Sequence, residues 1–536
     1  MKNKVFILYH FIIILLLTAC QYSTKAKMEN KAAGVCFYAS PSGDDNNPGS
    51  KANPWKTLEK INTADLNPGD TVLLEGREVF EGTLLLDSLD SGEENKKVTI
   101  GSYGNGRAII NGANSEGIIV KNCNNLLIRD LIVKGSGRND GNITDGIFIT
   151  GSKNFNADSI TISGFQHSGL HIRICSNVNI KNVHAHDNGF AGIHVTGTTI
   201  YDTAKYDNEN IYIGYCVAEN NPGDPTVTDN HSGNGILASS VRGGTIEYCE
   251  AFNNGWDMPW TGNGPVGIWI WDCRDILIQY CIAHDNKTRP GAKDGGGFDL
   301  DGGVANSVIQ YCLSYNNQGA GYGLFEFGAA KPWENNILRY CISQNDASVN
   351  GGSVAIWCYK KGGTMRNCEI YNNTFYNNTA RGFSLMIENN CPGFKFRNNV
   401  FIYNNAILIP GQKFESELFQ SNCYRSLSGD KTIAGYKNLQ EWAKATGNEM
   451  LENRFIGIFA DPGVQNPGKC SLTDPRKMNP ESLAAYIPKS GSPLIDQGLN
   501  LKILFNIDPG VNDIAGKPIP RGNGYDIGAL EYVIEK

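Results

Sequence analysis

The sequence predicts an all-β fold, a single-stranded right-handed parallel β-helix, and three observations predict it. The first is a short motif that recurs as Gly214-Tyr-Cys-Val-Ala-Glu-Asn-Asn221, Glu247-Tyr-Cys-Glu-Ala-Phe-Asn-Asn254, Gln279-Tyr-Cys-Ile-Ala-His-Asp-Asn286 and Gln310-Tyr-Cys-Leu-Ser-Tyr-Asn-Asn317. Two further copies place cysteines at 341 and 368, so Cys216, Cys249, Cys281, Cys312, Cys341 and Cys368 follow one another at steps of 27 to 33 residues. The second is a strand series between these copies, aligned by Gly146, Gly169, Gly192, Gly235, Gly267 and Gly297. Its shortest steps, about 23 residues, are one coil of short strands and turns. The third is that each copy alternates apolar and polar residues and then ends in Asn or Asp. Alternation buries one face of a strand, and Asn tolerates the left-handed turn that follows. Stacked copies place like residues about 4.8 Å apart, close enough for an Asn ladder.

The chain opens with Lys2 and Lys4, an apolar run from Val5 to Leu17, and Leu17-Thr18-Ala19-Cys20. The run is short for a membrane span and ends at small residues. It resembles a lipoprotein signal peptide over residues 1–20, with Cys20 as the lipidated residue and 21–33 as a polar tether. The expected location is exported and lipid-anchored to a bacterial membrane, at the outer membrane or cell surface. Residues 34–535 are then one β-helix domain. Longer steps in the repeat mark inserted loops, notably between Thr196 and Gly233, and such loops build the walls of binding faces. Near 413–463 the pattern changes, and Asn438-Leu-Gln-Glu-Trp-Ala-Lys-Ala-Thr446 has helical periodicity. This is expected to be a local insertion or cap over the last coils. A net charge of -7, a pI near 5.7 and no basic stripe argue against nucleic-acid binding. Six cysteines in one phase of the coil are expected to be buried free thiols, because residues directly above one another on adjacent strands bridge poorly. Cys36, Cys391, Cys423 and Cys470 fall off that ladder.

Two terminal stretches carry a resemblance. Tyr38-Ala-Ser-Pro-Ser-Gly-Asp-Asp-Asn-Asn-Pro-Gly49, Pro54-Trp-Lys-Thr-Leu58 and Asn67-Pro-Gly-Asp-Thr-Val72 look like the entry to a β-helix, where a short amphipathic helix caps the first coil. Asp513-Ile-Ala-Gly516, Arg521 and Asp526-Ile-Gly-Ala-Leu-Glu531 look like its closing segment. With the repeats, they make the chain similar to the secreted parallel β-helix proteins, which include pectate lyases, polygalacturonases and bacterial polysaccharide-degrading lipoproteins. The resemblance implies cleavage of a plant or algal polysaccharide or its oligosaccharides. The Asn-Thr-Asp and Arg-Ile-Lys signatures of the polygalacturonase branch are absent.

The chemistry is expected on Asp294-Gly-Gly-Gly-Phe-Asp-Leu-Asp-Gly-Gly303. If this is a strand, Phe298 and Leu300 point inward while Asp299 and Asp301 point out together. Counted from the aligned glycines, the outward stripe reads Phe148, His171, His194, Leu237, Trp269, Asp299, and beside it Thr150, Arg173, Thr196, Ser239, Trp271, Asp301. Indole faces stack on sugar rings, so Trp269 and Trp271 are candidate substrate-binding residues unless a loop covers them as a satellite core. His171, Arg173, His194 and Asp294 are further binding candidates. Two outward carboxylates about 6.5–7 Å apart suit an inverting glycosidase, one as acid and one activating water. Glu326 is a third candidate whose register is open, because Gly321 and Gly323 could each be the aligned glycine. A third carboxylate would raise a neighbour's pKa, as a general acid requires.

A glycoside hydrolase without cofactor is the first reading. A calcium-dependent polysaccharide lyase is the second, with Asp294, Asp299 and Asp301 as metal ligands and Lys293, Lys360 or Lys361 as base. A non-catalytic glycan-binding surface protein is the third. No nucleotide, haem or flavin motif stands out. A capped solenoid does not require partners, so a monomer is expected.

Overall fold

The computed structural model describes residues 34–198, 202–359, 365–389, 391, 393–414 and 416–532. Cys20, the leader and Lys360 and Lys361 lie outside the described residues. Within them, 36 strands form one hydrogen-bonded network whose ladders are all parallel, each strand pairing with its counterparts in the coils before and after. Inward residues of successive coils merge into one core running from Val72 to Phe419.

The predicted inner stacks are present. The cysteines Cys216, Cys249, Cys281, Cys312, Cys341 and Cys368 are fully buried free thiols. Cys391, Cys423 and Cys470 are buried and free as well, while Cys36 is exposed. Beside the thiols runs an amide ladder: Asn188, Asn221, Asn254 and Asn286 each donate from Nδ2 to the Oδ1 of the next rung, at 3.2, 2.9, 2.9 and 2.9 Å, ending at Asn317. This ladder explains the aligned glycines. A Cβ at Gly267 would lie 2.7 Å from Asn286 Nδ2 and 2.8 Å from the Gly297 carbonyl oxygen. One feature was not legible in the repeat: the tyrosines before the cysteines occupy the left-handed region (φ 59° at Tyr215, 51° at Tyr248, 49° at Tyr280), where a bulky residue is rare. Their rings stack at 5.0 and 5.1 Å.

Helix α1 (Leu58–Asn62) covers the first coil with Leu58 and Ile61, and Thr57 caps its start. Helix α2 (Leu439–Thr446) covers the other end, where Trp442 meets Phe414, Phe419 and Tyr424. The segment after 461 differs from a simple closing cap. It runs back along the flank of the coils, where Gln344 exchanges two hydrogen bonds with the Cys470 backbone and Tyr371 donates to the Asp508 carbonyl. It buries a second aromatic cluster there. Among the described residues no helix is long and apolar enough to cross a membrane.

The site is carried by eight stacked strands: β1 (Ser168–Arg173), β2 (Ala191–Thr196), β3 (Asn234–Glu247), β4 (Val266–Gln279), β5 (Gly296–Leu300), β6 (Tyr322–Glu326), β7 (Val354–Cys358) and β8 (Phe383–Glu388).

Candidate active site

Strand β5 has the predicted facing. Phe298 and Leu300 are core residues, and Asp299 points to the other side. The register with β6 pairs Phe298 with Tyr322 and Asp299 with Gly323. Gly321 is therefore the aligned glycine, and the outward stripe continues through Gly323, Ala355 and Met386, with Phe325, Trp357 and Glu388 beside it. The step from Asp299 to Gly323 hollows the face. A Cβ at Gly323 would stand 2.9 Å from Asp299 Oδ1 and 2.7 Å from Phe325 Cε2. The hollow is part of a cavity of about 820 Å³ lined by Asp294, Asp299, Asp301, Trp269, Trp271 and Trp357, among others.

Inserted loops raise its walls. The loop before β3 brings Asn230 and His231, and the loop before β4 brings Asn263, whose Nδ2 donates to Asn230 Oδ1 at 2.8 Å. The first of these loops is pinned by Asp224, which pairs with His167 at 2.6 Å and accepts from Gln166 at 3.3 Å. The opposite wall, Phe327 to Ala330, is held from behind. Lys331 and Asp272 form an ion pair at 2.7 Å with both side chains fully buried, and Trp333 Nε1 donates to the Leu300 carbonyl at 3.1 Å. Removing one partner of such a buried pair leaves an uncompensated charge.

The three aspartates differ in environment. Asp294 is half-buried in a left-handed turn (φ 55°) and accepts from the Gly264 N–H at 2.8 Å. Burial pushes its pKa to about 6, against that N–H and Lys293, which favour the charged form. Asp301 is half-buried and accepts from the Gly302 N–H at 2.8 Å; burial raises it well above the usual range, with Asp294 and Glu326 adding to the rise. Asp299 is 3% exposed, and its Oδ1 has no hydrogen-bond partner among the described residues. Burial, then the Asp301 and Asp294 carboxylates, raise it well above the usual range. Burial thus raises all three carboxyls above the usual range.

The other predicted residues fall into two groups. Trp269 and Trp271 line the cavity, but Trp269 is 4% exposed. It belongs to a satellite cluster with Leu237 and Val266, and its Nε1 donates to Asn234 at 3.1 Å. The loop-covered alternative therefore describes Trp269, while Trp271 is half-buried against Phe327. His171, Arg173 and His194 are on the same stripe yet do not line the cavity. His171 bonds Asp145 at 2.8 Å and stacks on His194 at 4.6 Å, so this part of the stripe is filled by its own side chains. Glu326 does not face the cavity either. The register at Gly321 turns it away, and its carboxylate accepts from the N–H groups of Gly303, Gly328 and Ala329 at 3.2, 2.6 and 2.7 Å. It braces the wall loop.

Among the described residues no group of three or more His, Cys, Asp or Glu side chains is arranged to hold a metal ion. Of the candidate bases of the lyase reading, Lys293 lines the cavity. Sequence reasoning missed His231, Asn263, Phe325, Phe327 and Trp357. Phe325 and Trp357 were reachable, since they continue the stripe once Gly321 is aligned.

Comparisons with known proteins agree with this architecture. A lacto-N-biosidase of Bifidobacterium longum is 25% identical over an alignment covering 75% of this chain and 31% of that protein. The chain spans about a third of the length of that relative. The crystal structure of a GH136 lacto-N-biosidase from Eubacterium ramulus superposes with a TM-score of 0.53 at 19% identity, covering 74% of this chain and 68% of the other. Its native form gives 0.52 at the same identity, covering 73% and 68%. These structures share the fold. Residues 37–337 match the family described as Pel9A-like, right-handed β-helix region, and the chain belongs to that family.

Proposed function

We propose that the chain is a glycoside hydrolase that cleaves an oligosaccharide or the end of a glycan in the Asp294–Asp299–Asp301 cavity. The observation that carries this reading is the placement of three aspartates, each raised by burial above the usual carboxylate range, in one aromatic-walled cavity. Glycosidic cleavage needs one neutral acid to protonate the leaving oxygen and one carboxylate to meet the oxocarbenium-like centre. Asp301, less enclosed than Asp299, is the acid, and Asp294 is the carboxylate. Asp299, whose Oδ1 has no hydrogen-bond partner among the described residues, is the group that meets a sugar hydroxyl. Trp271 and Trp357 offer faces for ring stacking. The similarity to lacto-N-biosidases makes lacto-N-biosides the first substrates to try, ahead of plant and algal polysaccharides. Calcium is not part of this scheme. The leader and Cys20 support an exported, lipid-anchored enzyme; Cys20→Ser is expected to release it from the membrane fraction, and unchanged membrane association would contradict the anchor.

The test follows products from p-nitrophenyl lacto-N-bioside and from a polysaccharide panel, with and without EDTA. New reducing ends or nitrophenol, insensitive to EDTA, support hydrolysis. Absorbance of an unsaturated uronate, lost with EDTA, would replace it with elimination and make Lys293 the candidate base. Binding without products would assign the chain to the glycan-binding class.

A further inference from the structure

His231 enters the cavity from the inserted loop before β3, and its tautomer can be worked out from its neighbours. Asn234 Oδ1 receives two donors, the Trp269 Nε1–H at 3.1 Å and the Val266 N–H at 3.4 Å. The other end of that amide, Nδ2, donates to the Phe190 carbonyl at 3.1 Å. The amide cannot be flipped without setting donors against donors and oxygen against oxygen. Nδ2 also lies 3.1 Å from His231 Nδ1. An amide nitrogen only donates, so His231 Nδ1 must be the unprotonated acceptor, and the ring proton of neutral His231 is on Nε2.

The ring is held in that orientation. It packs edge-on to Trp269 with centroids 4.9 Å apart and tilts against Phe190 at 5.8 Å. The residue is 9% exposed and lines the cavity. The titratable groups about it are His194 on β2 and, lining the same cavity, Asp294, Asp299, Asp301, Lys293 and Glu388. Burial lowers its pKa to about 4. A second proton would have to sit on Nδ1, against the Asn234 donor.

We propose that His231 is a specificity residue: a neutral imidazole locked as the Nε2–H tautomer, which donates a hydrogen bond to an acceptor oxygen of an uncharged sugar bound beside the aspartates. The inference rests on reading the cavity as a glycan site and deepens it. Because the ring is neutral, it offers direction without charge and does not neutralise a uronate. A substrate lacking the matching acceptor leaves the N–H unpaired.

The test has two parts. The full chain labelled with ¹⁵N-histidine is titrated from pH 5 to 8 by long-range ¹H–¹⁵N correlation, with His231→Phe assigning the resonance. The expected result is an Nε2–H pattern with no titration down to pH 5. An Nδ1–H pattern, or a midpoint near 6.5, would overturn the proposal. This reading needs no substrate, so it stands or falls separately from the hydrolase assignment. The second part compares KM and kcat for p-nitrophenyl lacto-N-bioside. His231→Phe keeps the ring packing and removes the donor, so KM is expected to rise about tenfold with a smaller change in kcat. An unchanged KM in a variant of normal melting temperature would also overturn it.

Discussion

The same outward stripe has two fates along the solenoid. On β1 and β2 it is closed: His171 stacks on His194, Phe148 of the preceding coil tilts against His171, and Asp145 ties down His171. On β5 to β7 it is hollow: Asp299 is followed by Gly323 and Ala355, and loops stand on both sides. The strands are equivalent and the rung spacing is shared. What differs is side-chain volume at one position and the length of the connecting loops. A β-helix site is thus made by subtraction on one column and addition at the coil corners, while the buried thiols Cys281, Cys312, Cys341 and Cys368 continue the inner stack beneath.

Replacing the proposed acid should have the largest effect. Asp301→Asn is expected to lower kcat about 10²–10⁴-fold with the β-sheet circular dichroism unchanged; near-normal turnover would move the chemistry elsewhere. Next, Gly323→Ala puts a methyl against Asp299 and Phe325 on the hollow rung, and is expected to cost about 10²-fold in kcat/KM. If activity survives, the hollow is not where the substrate sits. Glu326→Gln withdraws full acceptance from three backbone N–H groups and should destabilise the fold by about 1–3 kcal/mol in urea unfolding, with kcat/KM falling about tenfold as the wall loosens.

A smaller effect distinguishes the aspartates by pH. Burial and the Asp301 and Asp294 carboxylates hold the Asp299 pKa above its unfolded value of about 4. The folded state binds that proton more tightly than the unfolded state, so the group subtracts stability increasingly as pH rises above about 4. Asp299→Asn removes the penalty: its melting temperature should exceed that of the parent chain at pH 7 and match it at pH 4. A lower melting temperature at pH 7 would mean that Asp299 is paired. The smallest effect belongs to the closed half. Arg173→Ala is expected to leave kcat/KM within about twofold, and a tenfold loss would extend the site along the whole stripe.

Much of the solenoid could be read from the chain because each rung has the same surroundings, so the same physical demands recur and leave a period. The Asn ladder fixes where glycine is required, and buried thiols mark the inward phase. The register at 321–323 could not be read, since both glycines fit a strand start and only the Tyr322–Phe298 pairing separates them. Asp299 and Asp301 were legible because alternation gives their facing. Glu326 was misplaced by that register, and His171 and His194 were promoted because regular spacing along a stripe says nothing about whether the stripe is filled. His231, Asn263 and Phe327 come from loops that occur once, and a single loop has no period from which to infer its path.

The most direct test is a crystal structure of Asp301→Asn soaked with the oligosaccharide that the product screen identifies. The account predicts sugar density over Gly323, with a glycosidic oxygen facing residue 301, Asp294 on the anomeric carbon and Trp271 or Trp357 against a ring face. Density along His171 and Arg173 with the cavity empty would contradict it.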